Sequence, residues 1–282
     1  MTCPGFIDIH SHILPGIDDG PQYLFESVEM AKRYLETGAT CVIATPHYIP
    51  GTGWNATREI INERKKELEI QLEEQGIHIK ILTGMEISFD PPLCLKSEFN
   101  NLLSLGETGY YLVETPLSIL PPDFLDMVLE FKRMAKGIIL AHPERSRYFQ
   151  NNPSMLKSLV DKDIYVQVNS GSILGHYGNR ARKSVMSMFE KGYIHFIASD
   201  SHNFYHRPPP GMEQWNELVK IAGDRAIQMA CIENPSSLLN NKRILNVQAT
   251  NVYVADNCPK AKKTGRSFFK KIPFIHRSVT EV

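Results

Sequence analysis

Cysteine is scarce in this chain: five among 282 residues, at positions 3, 41, 94, 231 and 258. No two form a C-x-x-C pair, and five dispersed thiols cannot staple a small secreted fold, so they are expected to be reduced. Thiolate phosphatase chemistry is disfavoured as well, because such an enzyme keeps an arginine six residues after its nucleophile. Those places here hold Ile9, His47, Asn100, Ser237 and Thr264. Also missing are a Gly-rich loop ending in Gly-Lys-Ser/Thr and a G-x-G-x-x-G after a strand, which removes the common nucleotide-cradling folds. No apolar run approaches the ~18–20 residues of a membrane span, and the first residues show no basic stretch followed by an apolar one. A cytoplasmic protein is expected.

Net charge is missing too, with 31 basic against 31 acidic side chains, yet it is unevenly spread. Residues 256–282 hold seven Lys/Arg and two acids, a net of +5 that leaves −5 for the remainder. Pro259 and Gly265 interrupt any helix there. Residues 1–255 are therefore expected to form the folded domain. Residues 256–282 are expected to be a basic, flexible tail that contacts an anionic partner or membrane surface if it contacts anything. Nucleic acid is not expected as a partner.

What is present is an ordinary globular composition, 42% hydrophobic and 22% charged, and enough chain to bury roughly 70–75% of its unfolded surface. Short runs rich in Val, Ile, Phe and Tyr recur at residues 6–10, 40–45, 77–82, 110–114, 137–141, 164–169 and 194–199. Fully apolar runs of this length read as buried parallel strands. Between them, residues 23–36, 57–74, 122–136, 153–161 and 180–191 repeat apolar side chains at three and four positions, the helical period. Seven βα alternations imply a parallel sheet, most economically a closed or nearly closed barrel, with a doubly wound sheet as the second choice. After the seventh strand, residues 211–223 and 224–232 read as helices, Asn234-Pro235 opens a short turn, and residues 251–254 read as a last edge strand. No regular eighth unit is evident.

The polar residues able to bind a metal sit where these strands stop. The first strand runs into Asp8-Ile9-His10-Ser11-His12 with Asp18-Asp19 in the next loop; later strands end at His47, Glu86, Glu114, His142, and Asp200 with His202. Successive sites from His12 to His142 lie 35, 39, 28 and 28 residues apart, about one βα unit per step. In a parallel barrel all these ends open on one face, so residues spread over nearly 200 positions are predicted to converge. Five of the ten histidines (His10, His12, His47, His142 and His202) belong to this one layer, whereas His195 starts its strand and is expected to be structural. Several ionised carboxylates in one mouth repel one another unless cations sit between them. Imidazole and carboxylate donors without thiolate favour Mn, Fe, Co or Zn, and one ion cannot use so many donors.

The segments Asp-Ile-His-Ser-His-Ile-Leu-Pro-Gly-Ile-Asp-Asp-Gly-Pro, Ala-Thr-Pro-His, Gly-Met-Glu-Ile, Leu-Val-Glu-Thr, Ala-His-Pro-Glu-Arg and Ser-Asp-Ser-His together resemble the PHP (polymerase and histidinol phosphatase) superfamily. Within it they resemble the manganese-dependent bacterial protein-tyrosine phosphatases of capsular and exopolysaccharide operons, over about residues 5–240. The resemblance implies an α/β, distorted (βα)7 TIM-like barrel. It also implies a trinuclear Mn²⁺ site with ligands on His10, His12, Asp19, His47, Glu86, Glu114, His142, Asp200 and His202. Arg145 and Arg207 match positions the family uses to hold phosphate. The implied substrate is the phosphorylated tail of a bacterial tyrosine kinase. The basic tail has no counterpart in this pattern.

The chemistry agrees with those residue types. A hydroxide held between divalent ions is a strong nucleophile near neutral pH, and arginine supplies planar, always charged forks for phosphoryl oxygens. A phenol leaves with pKa ~10 and needs less protonic help than an alkoxide; no unambiguous general acid is evident, and Asp200 or a metal-bound water could serve. The rivals are a small-molecule phosphatase such as histidinol phosphatase, an amidohydrolase-like deaminase or amidase, and a non-enzymatic metal-filled scaffold regulating a kinase. The amidohydrolase reading expects a carbamylated lysine where this chain has Glu114.

Overall fold

The computed structural model describes residues 5–89, 98–117 and 120–247. The expected edge strand at 251–254 and the basic tail lie outside the described residues. All strand pairs within the two sheets are parallel. One sheet has the order β1 (Phe6–Ser11), β2 (Ala39–Ala44), β4 (Lys80–Thr83). The other runs β3 (His47–Tyr48), β5 (Glu86–Ser88), β6 (Tyr110–Glu114), β7 (Gly137–Ala141), β8 (Tyr165–Asn169), β9 (Phe196–Ala198).

These nine strands are seven strand units. The second unit breaks at Thr45-Pro46 into β2 and β3, and the third breaks at Gly84-Met85 into β4 and β5. Proline has no N–H for the ladder. At Gly84 a Cβ would stand 2.8 Å from Leu105 Cδ2 and 3.2 Å from Leu105 Cα, so any side chain there would require Leu105 to shift. Both breaks hand the chain from the first sheet to the second. The ring closes where β9 meets β1: Asp200 N donates to His10 O and His12 N to Ser201 O, each at 2.9 Å. The result is the expected distorted (βα)7 barrel.

Helices α1 (Leu24–Thr37), α2 (Arg58–Glu74), α3 (Phe124–Met134), α4 (Arg147–Asn151), α5 (Pro153–Val160), α6 (Ser170–Leu174), α7 (Gly178–Glu190), α8 (Met212–Ala222), α9 (Asp224–Gln228) and α10 (Asn234–Leu239) cover or connect the strands. In α1 the Glu26 carboxylate accepts the backbone N–H groups of Gln22 and Tyr23 at 2.7 and 3.0 Å, capping the first turn. Gly38 at φ 93° ends it. Its buried Val28, Ala31 and Tyr34 recur at three-residue steps. Ile9, Ile43, Leu112, Ile139 and Phe196 pack as a fully buried cluster among the strands, and a larger apolar cluster joins strands to helices. Each such side chain contributes roughly 1.5–3 kcal/mol by leaving water.

The turn expected at Asn234-Pro235 is instead helix α10, entered through a π-helical turn at Met229–Glu233. Proline is tolerated in a first helical turn because its missing N–H has no partner there anyway. Asn234 pins the helix start by donating to His195 O and Leu245 O, both at 2.7 Å. No helix among the described residues is long and apolar enough to cross a membrane.

Candidate metal centre

The carboxyl ends of the strands bring all nine candidate donors together. Donor atoms within 4.8 Å of one another fall into three sets: His12, Asp19, His47 and His202; His10, Glu86, His142 and Asp200; and His47, Glu86 and Glu114. His47 and Glu86 each belong to two sets, so the sets are contiguous. In register, His47 pairs with Glu86 across β3 and β5, and β6 contributes Glu114 at its last residue. His10 and His12 point the same way from β1, with their Nε2 atoms 3.4 Å apart.

Backbone strain aims two of these donors. His142 has φ 31° and Asp200 φ 53°, left-handed conformations that non-glycine residues adopt at a cost of order 1 kcal/mol or more each. Gly20, after the Asp18-Asp19 pair, is required by space: a Cβ there would lie 2.4 Å from His12 O.

Fit to cations rests on atoms left without partners. Glu86 is fully buried, and its Oε2 lies 3.3 Å from His10 Nε2, 3.3 Å from His12 Nε2 and 3.1 Å from His47 Nδ1. Neither Glu86 Oε2 nor His47 Nδ1 makes a hydrogen bond despite that proximity. Three imidazoles and a carboxylate thus crowd one region in which Glu86 Oε2 and His47 Nδ1 have no hydrogen-bond partner, the arrangement a cation fills. Glu114 is pushed up to about 8 by burial and by the negative charges of Glu86 and Asp200. That repulsion is relieved by positive charge placed between the carboxylates. The residues therefore fit divalent ions.

A surrounding layer orients the donors, and most of it escaped sequence reasoning. Asp18 Oδ2 lies 2.6 Å from His12 Nδ1 and also accepts His47 N at 2.9 Å. Gln167 Oε1 lies 2.9 Å from His10 Nδ1. These contacts turn Nε2 of both imidazoles toward the cluster, as partners of metal-bound histidines do. Glu144, buried and pushed up to about 7 chiefly by desolvation, accepts from Ser172 Oγ at 2.6 Å and Asn169 N at 2.9 Å. Asp18 alone carried a signal, its place beside Asp19. Gln167, Asn169 and Glu144 are ordinary polar residues until the fold brings them here.

Arg145 and Arg207 reach the mouth as expected, but through one anchor. Arg145 Nη1 and Arg207 Nη2 each donate to Asp200 Oδ2 at 2.7 Å, and Asn169 Nδ2 donates to the same oxygen at 2.7 Å. Burial opposes charge on Asp200, but His10, His12, His142 and Arg207 outweigh it and hold its carboxyl well below the usual range. The residue named as a proton source is thus an ionised anchor with one oxygen fully occupied. Arg145 stacks on Tyr177, its guanidinium carbon 4.4 Å from the ring centre. Arg207 Nε is buried without a hydrogen-bond partner, and both arginines line a mouth of about 230 Å³.

The sequence pattern of the capsular polysaccharide synthesis CpsB/CapC family matches residues 6–240. The chain belongs to this family. A curated relative, the tyrosine-protein phosphatase YwqE of Bacillus subtilis (strain 168), is 34% identical over 238 residues, covering 84% of this chain and 93% of that protein. The putative tyrosine-protein phosphatase CapC of Staphylococcus aureus is 28% identical over 260 residues, 91% of this chain and 98% of its own. A solved structure, described with YwqE from Bacillus subtilis and CpsB from Streptococcus pneumoniae as unique metal-dependent tyrosine phosphatases, superimposes with TM-score 0.78 at 32% identity. It covers 87% of this chain and 99% of its own. The CpsB/CapC match includes every candidate donor, from His10 to His202, and both arginines.

Proposed function

We propose that this CpsB/CapC chain is a metal-dependent protein-tyrosine phosphatase, a phosphoric monoester hydrolase, acting in the cytoplasm on an autophosphorylated tyrosine kinase of capsule or exopolysaccharide synthesis. The observation that carries this reading is the buried junction of three donor sets beside two guanidiniums. The nine donors are the proposed ligands of two or three divalent ions, Mn²⁺ by preference, with Fe, Co or Zn as alternatives. Such ions supply Lewis acidity toward phosphoryl oxygens and lower the pKa of coordinated water.

The chain's own residues do the rest. Arg145 and Arg207 bind two oxygens of the phosphoryl group and neutralise charge that builds during in-line displacement. Asp200, with Asn169, holds both guanidiniums on one side of the mouth. Tyr177 stiffens Arg145 by stacking. Asp18 and Gln167 keep His12 and His10 turned inward. The leaving phenolate, with pKa ~10, departs without a dedicated carboxylic acid.

The test is turnover of a phosphotyrosine peptide against histidinol phosphate on one metal-quantified sample. Preference for the peptide, lost on chelation and regained with Mn²⁺, is expected. Preference for histidinol phosphate would select the small-molecule reading. The basic residues 256–282 are proposed to act only in reaching an anionic partner or membrane surface. Their deletion then leaves small aryl phosphate turnover intact, and any loss on a protein substrate weakens with salt.

A further inference from the structure

The loop between β3 and α2 carries an aromatic side chain that none of these roles uses. Ile49-Pro50-Gly51-Thr52 forms a tight turn: Thr52 N donates to Ile49 O at 3.2 Å, and Gly51 has φ 79°. Proline second and a positive-φ glycine third are the residues a type II turn needs. Ile49 N donates to Trp54 O at 2.6 Å, and Tyr48 pairs antiparallel with Asn55. The chain after β3 therefore doubles back as a small hairpin that returns Trp54 over His47. Indole and imidazole are stacked, with centroids 5.2 Å apart and planes 12° from parallel.

Trp54 remains 37% exposed. With Ile49 it supplies the apolar lining of the mouth; every other described residue there is a histidine, a carboxylate or an arginine. A phosphate ester bound among those charges must put its organic group somewhere, and a neutral ring gains more from the apolar indole than from the carboxylates beside it. An indole face or edge favours a second ring beyond what the area covered alone gives.

We propose that Trp54, held by its hairpin and flanked by Ile49, forms an aryl subsite that makes this mouth select aryl over alkyl phosphates. This rests on the phosphatase reading and names the residue behind its substrate class. Trp54 touches the leaving group's ring rather than the phosphoryl group, so its removal affects aryl ligands and spares the phosphate-binding end.

The experiment compares wild type, Trp54→Ala and Trp54→Phe as metal-loaded proteins. Trp54→Ala is expected to lose about ten-fold in kcat/KM on a phosphotyrosine peptide and on p-nitrophenyl phosphate, mainly through KM. Inhibition by phenylphosphonate weakens about as much, while inhibition by methylphosphonate and inorganic phosphate stays within about two-fold. Trp54→Phe recovers most of the loss. A readout independent of turnover comes from fluorescence, since the chain has two tryptophans and Trp215 is buried against Phe6. Phenylphosphonate is expected to change the emission of wild type and not that of Trp54→Phe. Equal weakening of phenylphosphonate and inorganic phosphate in Trp54→Ala, or no change in either, overturns the aryl subsite while leaving the phosphatase standing. No phosphotyrosine turnover by the wild type overturns both.

Discussion

Two buried histidines, one at each end of the barrel, have their proton affinity shifted in opposite directions. At the amino end, His195 is buried, accepts Val166 N on Nδ1 at 3.1 Å, and is pushed down to about 4 chiefly by desolvation. At the carboxyl end, His12 is equally buried, but Asp18, Asp200 and Glu86 outweigh desolvation and raise it well above the ordinary histidine value. Burial alone produces a neutral, satisfied imidazole. Burial among more carboxylates than their hydrogen bonds can compensate produces a cluster that is unstable without cations. The lower end settles the fold, and the upper end is held in a costly arrangement by it.

Removing charge from the upper end tests this contrast most severely. Glu86→Ala deletes a residue shared by two donor sets. It is expected to lower metal content by elemental analysis and kcat on the order of 10³-fold, the scale of losing a main charge stabiliser of a transition state. The fold should survive, by circular dichroism. Full metal and normal turnover in a folded variant would remove the cluster assignment. Chelation should act similarly, and iodoacetamide should not: no cysteine belongs to the donor sets, and among the described residues Cys41 and Cys231 are buried, burial raising the Cys41 thiol to about 11.

Arg145→Ala and Arg207→Ala come next. Each is expected to keep its metal yet lose on the order of 10²-fold in kcat/KM, about 2.7 kcal/mol of transition-state stabilisation. Lysine should restore only part, since it lacks the planar fork. Inorganic phosphate should inhibit both alanine variants less than wild type. Unchanged kinetics and unchanged phosphate inhibition would mean the guanidiniums serve Asp200 alone.

Asp18→Asn is expected to be milder, because it weakens the orientation of His12 and His47 without deleting a donor to the cluster. A loss of roughly 10–100-fold in metal affinity is the usual scale for such partners. Isothermal titration with Mn²⁺ checks it, and wild-type affinity would show that His12 is held without Asp18.

The contrast between the ends also sorts what the sequence discloses. Seven strand units and the helices between them are legible because burial on both faces writes continuous apolar runs, and the layer of donors is legible because histidine and carboxylate at strand ends recur once per unit. The breaks at Pro46 and Gly84 are not, since each depends on which neighbouring strand the chain then joins. Nor is the convergence of Arg145, Arg207 and Asn169 on one oxygen of Asp200, which is set by side-chain geometry across the carboxyl ends of three strand units. Trp54 is hidden for the same reason: Pro50-Gly51 announces a turn, but not that the returning strand stacks on His47.

The smallest effect on catalysis is expected at the lower end, where His195→Asn should leave metal content and turnover near wild type while changing the response to acid. Asparagine Oδ1 stands near the place of Nδ1 and can still accept Val166 N. In the wild type the folded imidazole titrates near 4, against ~6.5 in the unfolded chain. Between those values the unfolded state binds the extra proton, so stability falls as pH drops from about 6.5 to 4 and is fully present above that window. The contribution is about 3 kcal/mol over the whole window, from the size of the shift. His195→Asn removes that term but leaves every titrating group of the upper end in place, and sites this far apart add nearly independently. Urea unfolding of both proteins at pH 7 and pH 4.5 is the measurement. The variant, less stable at pH 7 through lost packing, should lose less on acidification than the wild type. Parallel losses in the two proteins would show that the fold leaves the proton affinity of His195 close to that of the unfolded chain, and that His195 and His12 do not differ as their surroundings indicate.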